Sequence, residues 1–198
     1  MAVWTIAAEE GAGGARVAAE LAAAAGVPLF DRERLGDLAH ALRVDAPDLA
    51  GLEERVGGRA TAFLLSIAML GPAAEEAFSE FELRQTLPEL ARVVLKDAAH
   101  SPCVLLVVTA AAALRDHPSA VHVRLRASLE WRIASYAREH LLDRAAAEHA
   151  VKHDDHVKRT WLKTLYDADI DDERLYSLVL DASRFSVERL VAILLAAG

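Results

Sequence analysis

A chain of 198 residues, 54% of them hydrophobic, has the size of one globular domain, and a second independent core is not expected. Its 22 Lys and Arg stand against 30 Asp and Glu, a formal net charge of −8. That balance argues against nucleic acid or a membrane surface as partner, since either needs a cationic face to meet phosphates, while small anionic ligands held by local dipoles stay open.

The opening run Val3 to Ala8 is apolar, contains β-branched residues and ends at Glu9-Glu10-Gly11-Ala12-Gly13-Gly14, the pattern of a strand entering a glycine turn. Val17, Leu21 and Ala25 recur at helical spacing until Gly26 and Pro28 stop the helix. Val27 to Phe30 predicts a second short strand, and Asp31 caps a helix running to about Arg43. Residues 44–58, with Pro47 and three glycines, predict a loop or insertion, followed by helices over Ala60 to Leu70 and Ala73 to about His100 with a break near Pro88. The apolar run Cys103 to Val108 predicts a strand buried on both faces. In the next strand, Ala120 to Leu125, the basic residues His122, Arg124 and Arg126 alternate with Val121, Val123 and Leu125. Helices follow over Leu129 to His140 and from Asp143 to about Tyr166, then an acidic loop from Asp167 to Glu173, a strand over Tyr176 to Leu180, and a helix from Ser186, its N-cap, to Ala197. Strands alternating with helices predict an α/β domain around a mainly parallel sheet. No apolar stretch approaches the ~18–20 residues that cross a bilayer. The N-terminus has no basic segment ahead of its apolar residues and does not read as a signal peptide, so the expected compartment is the cytoplasm. Cys103 cannot form an internal disulfide and lies in an apolar run, where a buried, inert thiol is expected.

In a parallel sheet the loop after the first strand lies at the carboxyl edge, where glycine amides and a helix N-terminus form an anion cradle. The full phosphate-loop pattern is Gly, four residues, Gly, Lys, then Ser or Thr. Here those positions hold Ala8, Gly13, Gly14 and Ala15, so one of the four matches. The dinucleotide pattern fails as well, because Arg16 stands where its third glycine belongs. The plainer alternative is that the glycines only permit a tight turn. Glu9 and Glu10 oppose an anion beside them, and Arg16 offsets part of that charge.

The segment Thr5-Ile6-Ala7-Ala8-Glu9-Glu10-Gly11-Ala12-Gly13-Gly14-Ala15-Arg16-Val17-Ala18 resembles, without a gap, the opening Thr-Ile-Ser-Arg-Glu-Tyr-Gly-Ser-Gly-Gly-Arg-Glu-Ile-Ala of the cytidylate-kinase-like proteins, a branch of the P-loop nucleoside monophosphate kinases. Gly26 to Glu33 is similar to the family's Gly-Tyr-Pro-Tyr-Tyr-Asp-Lys-Glu. Pro118, His122-Val123, Leu129-Glu130, Arg132-Ile133, Asp169, Asp171-Asp172, Leu175-Tyr176, Leu178 to Leu180 and Ser183-Arg184 resemble its later strands and turns. The resemblance covers both ends of the chain and little of residues 44–100. It implies a three-layer α/β/α domain over residues 1–198 with a five-stranded sheet, a helical monophosphate-binding region over about 36–100 and a lid over about 140–170. It also implies phosphoryl transfer from ATP with Mg2+ to a CMP-like nucleotide. Gly11, Ala12, Gly13, Gly14 and Arg16 would then face phosphates, Asp31 and Arg32 the monophosphate, and Arg132, Lys158 and Arg159 the lid side.

Three arginines usual in the family are replaced here, at Ala8, at Ala15 and within Val107 to Ala111. Each lost electrostatic donor removes about 2–4 kcal/mol of transition-state stabilisation, so the expectation is a nucleotide-binding member with phosphoryl transfer weak or lost. The alternatives are an active kinase in which Arg16, Arg124, Arg126, Lys158 or Arg159 compensates, and a non-enzymatic interaction protein on the same fold. Assembly with further copies of the chain stays open. His149, His153 and His156 share one helical face, but a single helix rarely closes a metal site and no cysteine is near, so a solvated face is expected and no metal is assigned. The acidic run Asp167 to Glu173 lacks the glycine and final glutamate of an EF-hand loop. No Gly-x-Ser-x-Gly elbow supports a hydrolase.

Overall fold

The computed structural model describes residues 2–31, 34–35, 91–92 and 94–198. Residues 36–90 of the region expected as a monophosphate-binding insert, with the helix expected over Ala60 to Leu70 and most of that over Ala73 to about His100, lie outside the described residues, as does Arg32. Strand β1 (Val3–Ala8) leads into helix α1 (Gly14–Ala25), then β2 (Leu29–Phe30), β3 (Cys103–Leu105), the short α2 (Ala110–Ala113), β4 (Ala120–Arg126), α3 (Leu129–His140), α4 (Arg144–Tyr166), β5 (Leu178–Asp181) and α5 (Val187–Ala197). The five strands form one sheet in the order β2-β3-β1-β4-β5, and every pairing is parallel. Helices cover both faces, as a parallel sheet requires.

Strand periodicity sorts the core into two layers. Trp4 and Ile6 of β1, Val104 of β3 and Val123 and Leu125 of β4 pack with Val17, Ala18 and Leu21 of α1 and Leu190, Val191 and Leu194 of α5. Val3, Cys103 and Leu105 face the other way, against Val94, Leu95 and Ala98 and against Trp161 and Leu165 of α4. Ala7 points to that second side too, beside Leu162, Ile170 and Leu175. The same alternation sends the polar residues of β4 to the α4 face. His122 stands beside Thr5 in register, with Thr5 Oγ1 and His122 Nδ1 2.8 Å apart, and Arg124 stands beside Ala7.

The helix stops follow their sequence signals. Gly26 caps α1 in the left-handed conformation, its amide bonding to carbonyls of Ala22 and Ala23, and side chains of Ser128, Asp143 and Ser186 accept from the first turns of α3, α4 and α5. Asp31 Oδ1 likewise accepts from the Arg34 amide at 3.1 Å. Strands β2 and β3 are shorter than the apolar runs that announced them, and β5 starts two residues later than expected. Among the described residues no helix is long and apolar enough to cross a membrane.

Candidate functional site

Beyond Ala8 the Glu9 amide still bonds to Leu125 O at 3.0 Å, and the Ala12 amide closes the turn onto Glu9 O. Gly11 has φ +80°, and a Cβ there would stand 2.4 Å from Arg132 O, so this glycine is required both by its conformation and by the neighbouring backbone. Gly13 is the N-cap of α1 at φ 77° and offers no side-chain cap. The first amides of α1 therefore keep the unsatisfied donors of a helix start, the backbone half of an anion cradle. Gly14 opens the helix with its missing Cβ 2.3 Å from Ala8 Cβ. The methyl group of Ala8 thus occupies the space that a side chain at 14 would need.

The side chains around this cradle form a continuous ion cluster. Arg132 is 6% exposed. Its Nε donates to Ala127 O and lies 3.2 Å from Glu9 Oε2, while Nη1 donates to Glu10 O and lies 2.7 Å from Asp155 Oδ2. Glu9 Oε2 also accepts from the Ala127 amide, and Glu9 Oε1 is 3.5 Å from Arg124 Nη2. Lys158 Nζ donates to Ala8 O at 3.0 Å and to Glu10 Oε2 at 3.1 Å, with Asp154 Oδ2 at 2.7 Å. Burial pushes the Asp154 carboxyl above its usual range, Lys158 opposing and Glu10 adding to the rise. Arg159 turns away from the loop to Asp171 and Asp169, and the Asp171 hydrogen bond raises its pKa. Arg124 is 5% exposed, its Nη1 buried without a partner and its other contact Asp171 Oδ1 at 3.8 Å.

Arg132 and Lys158 thus meet at the glycine loop, through α3 and α4 respectively. Arg16 stands on the exposed face of α1, bonded to Glu20 at 3.0 Å, and Asp31 is engaged in its own helix cap. Arg124, expected only as a compensating group, and Asp154, outside the expected set of site residues, both belong to the cluster. The i, i+4 spacing of Asp154 and Lys158 was the available signal, whereas the reach of Glu9 and Glu10 to cations more than a hundred residues away had none. Among the described residues no group of three His, Cys, Asp or Glu side chains is arranged to hold a metal ion, and His149 and His153 stack with ring centroids 6.2 Å apart.

A glycine loop between β1 and α1, at the carboxyl edge of a five-stranded parallel sheet with helices on both faces, defines a kinase-type nucleotide fold. The chain belongs to the cytidylate kinase-like family, whose model matches residues 3–184. Among solved structures it is similar to an uncharacterized protein from Eubacterium ventriosum, at 16% identity and a TM-score of 0.71, with 99% of this chain and 97% of that one covered. It is also similar to a gluconokinase from Sinorhizobium meliloti, at 14% identity and a TM-score of 0.53, with 98% and 90% covered. No curated protein matches the chain in sequence.

Proposed function

We propose that this protein binds a nucleotide at the glycine loop and that phosphoryl transfer to a CMP-like monophosphate is weak or lost. The observation that carries the reading is the occupation of the site's own cations. Arg132 and Lys158, the two groups best placed to gather phosphate oxygens, are held by Glu9, Glu10, Asp154 and Asp155. Phosphoryl transfer depends on cations free to stabilise charge on the transferring group, and here a phosphate has to displace carboxylates first. The backbone of Gly13 and Gly14 suits the phosphates of ATP. The side chains suit Mg2+ less well, because residue 15 is alanine where the family of phosphate loops supplies a hydroxyl.

The test is calorimetric titration with ATP and Mg2+, then with CMP, UMP and AMP, alongside a coupled assay for nucleoside diphosphate. Micromolar to millimolar binding with turnover far below the typical ~1–100 s−1 of kinases is the expected result. Rapid CMP-dependent turnover would instead favour an active kinase, in which Arg124 is the compensating group best supported, since its Nη1 lacks a partner. Absence of heat with every nucleotide, from folded protein, leaves an interaction protein on a kinase fold.

A further inference from the structure

A cavity of about 610 Å3 opens on the α4 side of the sheet, far from the glycine loop. His100 precedes the first residue of β3, and His117 lies in the turn whose Ser119 carbonyl accepts from the Val3 amide at the start of β1. Both mark the amino edge of the sheet, whereas the glycine loop follows the end of β1. A six-residue strand separates the two edges by about 20 Å.

The lining is cationic in an acidic chain. Arg92, Lys96 and Arg115 all face the cavity, with His100 and His117 beside them, and Asp116 is its single carboxylate among the described residues. Arg92, Lys96 and His100 recur every four residues, which places them on one face of the helical stretch that holds Val94 and Leu95 in the core. Along the rest of the described chain most cations are paired with carboxylates, from Arg16 with Glu20 to Arg184 with Asp181. None of the cavity's three cations has such a pair among the described residues. The chain has carboxylates in excess, yet Arg92, Lys96 and Arg115 form no ion pair among the described residues and Arg115 acts on the Asp172 carboxyl only from beyond ion-pair distance, so the cleft presents cationic charge to a ligand. Favourable charge at a helix C-terminus is confined to the last turn, which accounts for His100 and Lys96 but not for Arg92 two turns earlier. The aromatic wall is Tyr166, whose phenol burial pushes up while Arg92 pulls the other way, a sign of how near that guanidinium stands.

We infer that this cleft is a second anion site, distinct from the glycine loop, that takes a phosphorylated small molecule carrying at least two negative charges. Its volume lies in the range of small-molecule clefts, about 300–1,000 Å3. Two guanidinium groups suit phosphate oxygens, which they meet through paired N–H donors. The inference does not rest on nucleotide binding at the loop.

Titration of the intact chain with inorganic pyrophosphate tests it, using wild type, a Lys96→Ala/Arg115→Ala double variant and a charge-matched control, Arg144→Ala/Lys152→Ala, at exposed positions of α4 that do not line the cleft. Lys96 and Arg115 are exposed, so the double variant is expected to fold, and circular dichroism checks this. The expected result is saturable binding, weakened at least about tenfold in the double variant and unchanged in the charge-matched control. Four outcomes overturn the proposal: no binding by folded wild type, equal binding by the double variant, an equal loss in the charge-matched control, or citrate binding as tightly as pyrophosphate, which would mark a general polyanion patch.

Discussion

Ala8 and Gly14 exchange the roles that a phosphate loop gives its first glycine and its lysine. Where a phosphate loop is bare at its start and bears a side chain at the helix entrance, this chain carries a methyl group at 8 and nothing at 14, and the two positions compete for one volume. Reintroducing the lysine alone therefore drives a Cβ into Ala8. Gly14→Ala is expected to destabilise by about 1–3 kcal/mol, the usual cost of overpacking, and Ala8→Gly/Gly14→Ala to recover most of that loss. Urea midpoints for the two singles and the double read the coupling directly. Additive single effects would show that the two side chains do not compete. At Gly11 no partner change helps, because its obstacle is the Arg132 carbonyl itself. Cys103 is an opposite case, a residue placed for packing alone: it is fully buried in β3, and burial pushes its thiol up to about 11, too high for a nucleophile at neutral pH.

Strand β4 shows how one element serves two environments. Val123 and Leu125 complete the layer under α1 and α5, while His122 and Arg124 are buried on the α4 side, where each needs a polar partner. His122 meets that need as a neutral ring. Nδ1 pairs with the Thr5 hydroxyl, and burial lowers its pKa, with the Leu114 backbone opposing and His117 adding to the effect. The unfolded chain then takes up the His122 proton more readily than the folded one. Stability from this group is fully present above the ordinary histidine value of ~6.5 and is lost as pH falls from there toward the lowered folded value. Wild type is expected to lose more stability than His122→Gln between pH 8 and pH 5, measured by urea unfolding; parallel profiles would remove His122 as the cause. The turn between α3 and α4 carries a simpler strain. Leu141 caps α3 at φ 56° and is 93% exposed, so it holds a left-handed conformation without any packing return. Leu141→Gly is expected to raise stability by about 0.5–1 kcal/mol, visible as a higher thermal midpoint.

Over the whole molecule, the local signals were readable and the long-range charge pairing was not. β1 and α3 have the limits that apolar periodicity, glycine and capping residues announce, and the sheet follows from their alternation. The apolar run from Cys103 continues past β3 because Val107 and Val108 stay buried in the turn to α2, where burial without pairing looks the same in sequence. The candidate site was legible as a loop and as a set of cations, but which carboxylate meets which cation depends on contacts such as Glu10 to Lys158, 148 positions apart. Those contacts bear on function through charge. Around the loop, Arg124, Arg132 and Lys158 face Glu9, Glu10, Asp154 and Asp155, an acidic excess that repels an anion and ties α4 to the loop. Glu10 is the carboxylate whose loss disturbs the fold least, since its side chain is one-third exposed and Lys158 keeps Asp154. Under the proposed nucleotide-binding reading, Glu10→Gln removes one repelling charge and loosens Lys158 while keeping the loop backbone. ATP affinity is then expected to rise about three- to tenfold, a gain of ~0.7–1.4 kcal/mol, and that gain over wild type to shrink with added salt as the repulsion is screened. Calorimetry on both proteins at two ionic strengths measures this, and an unchanged or weaker affinity in the variant would mean that the loop carboxylates do not oppose the ligand.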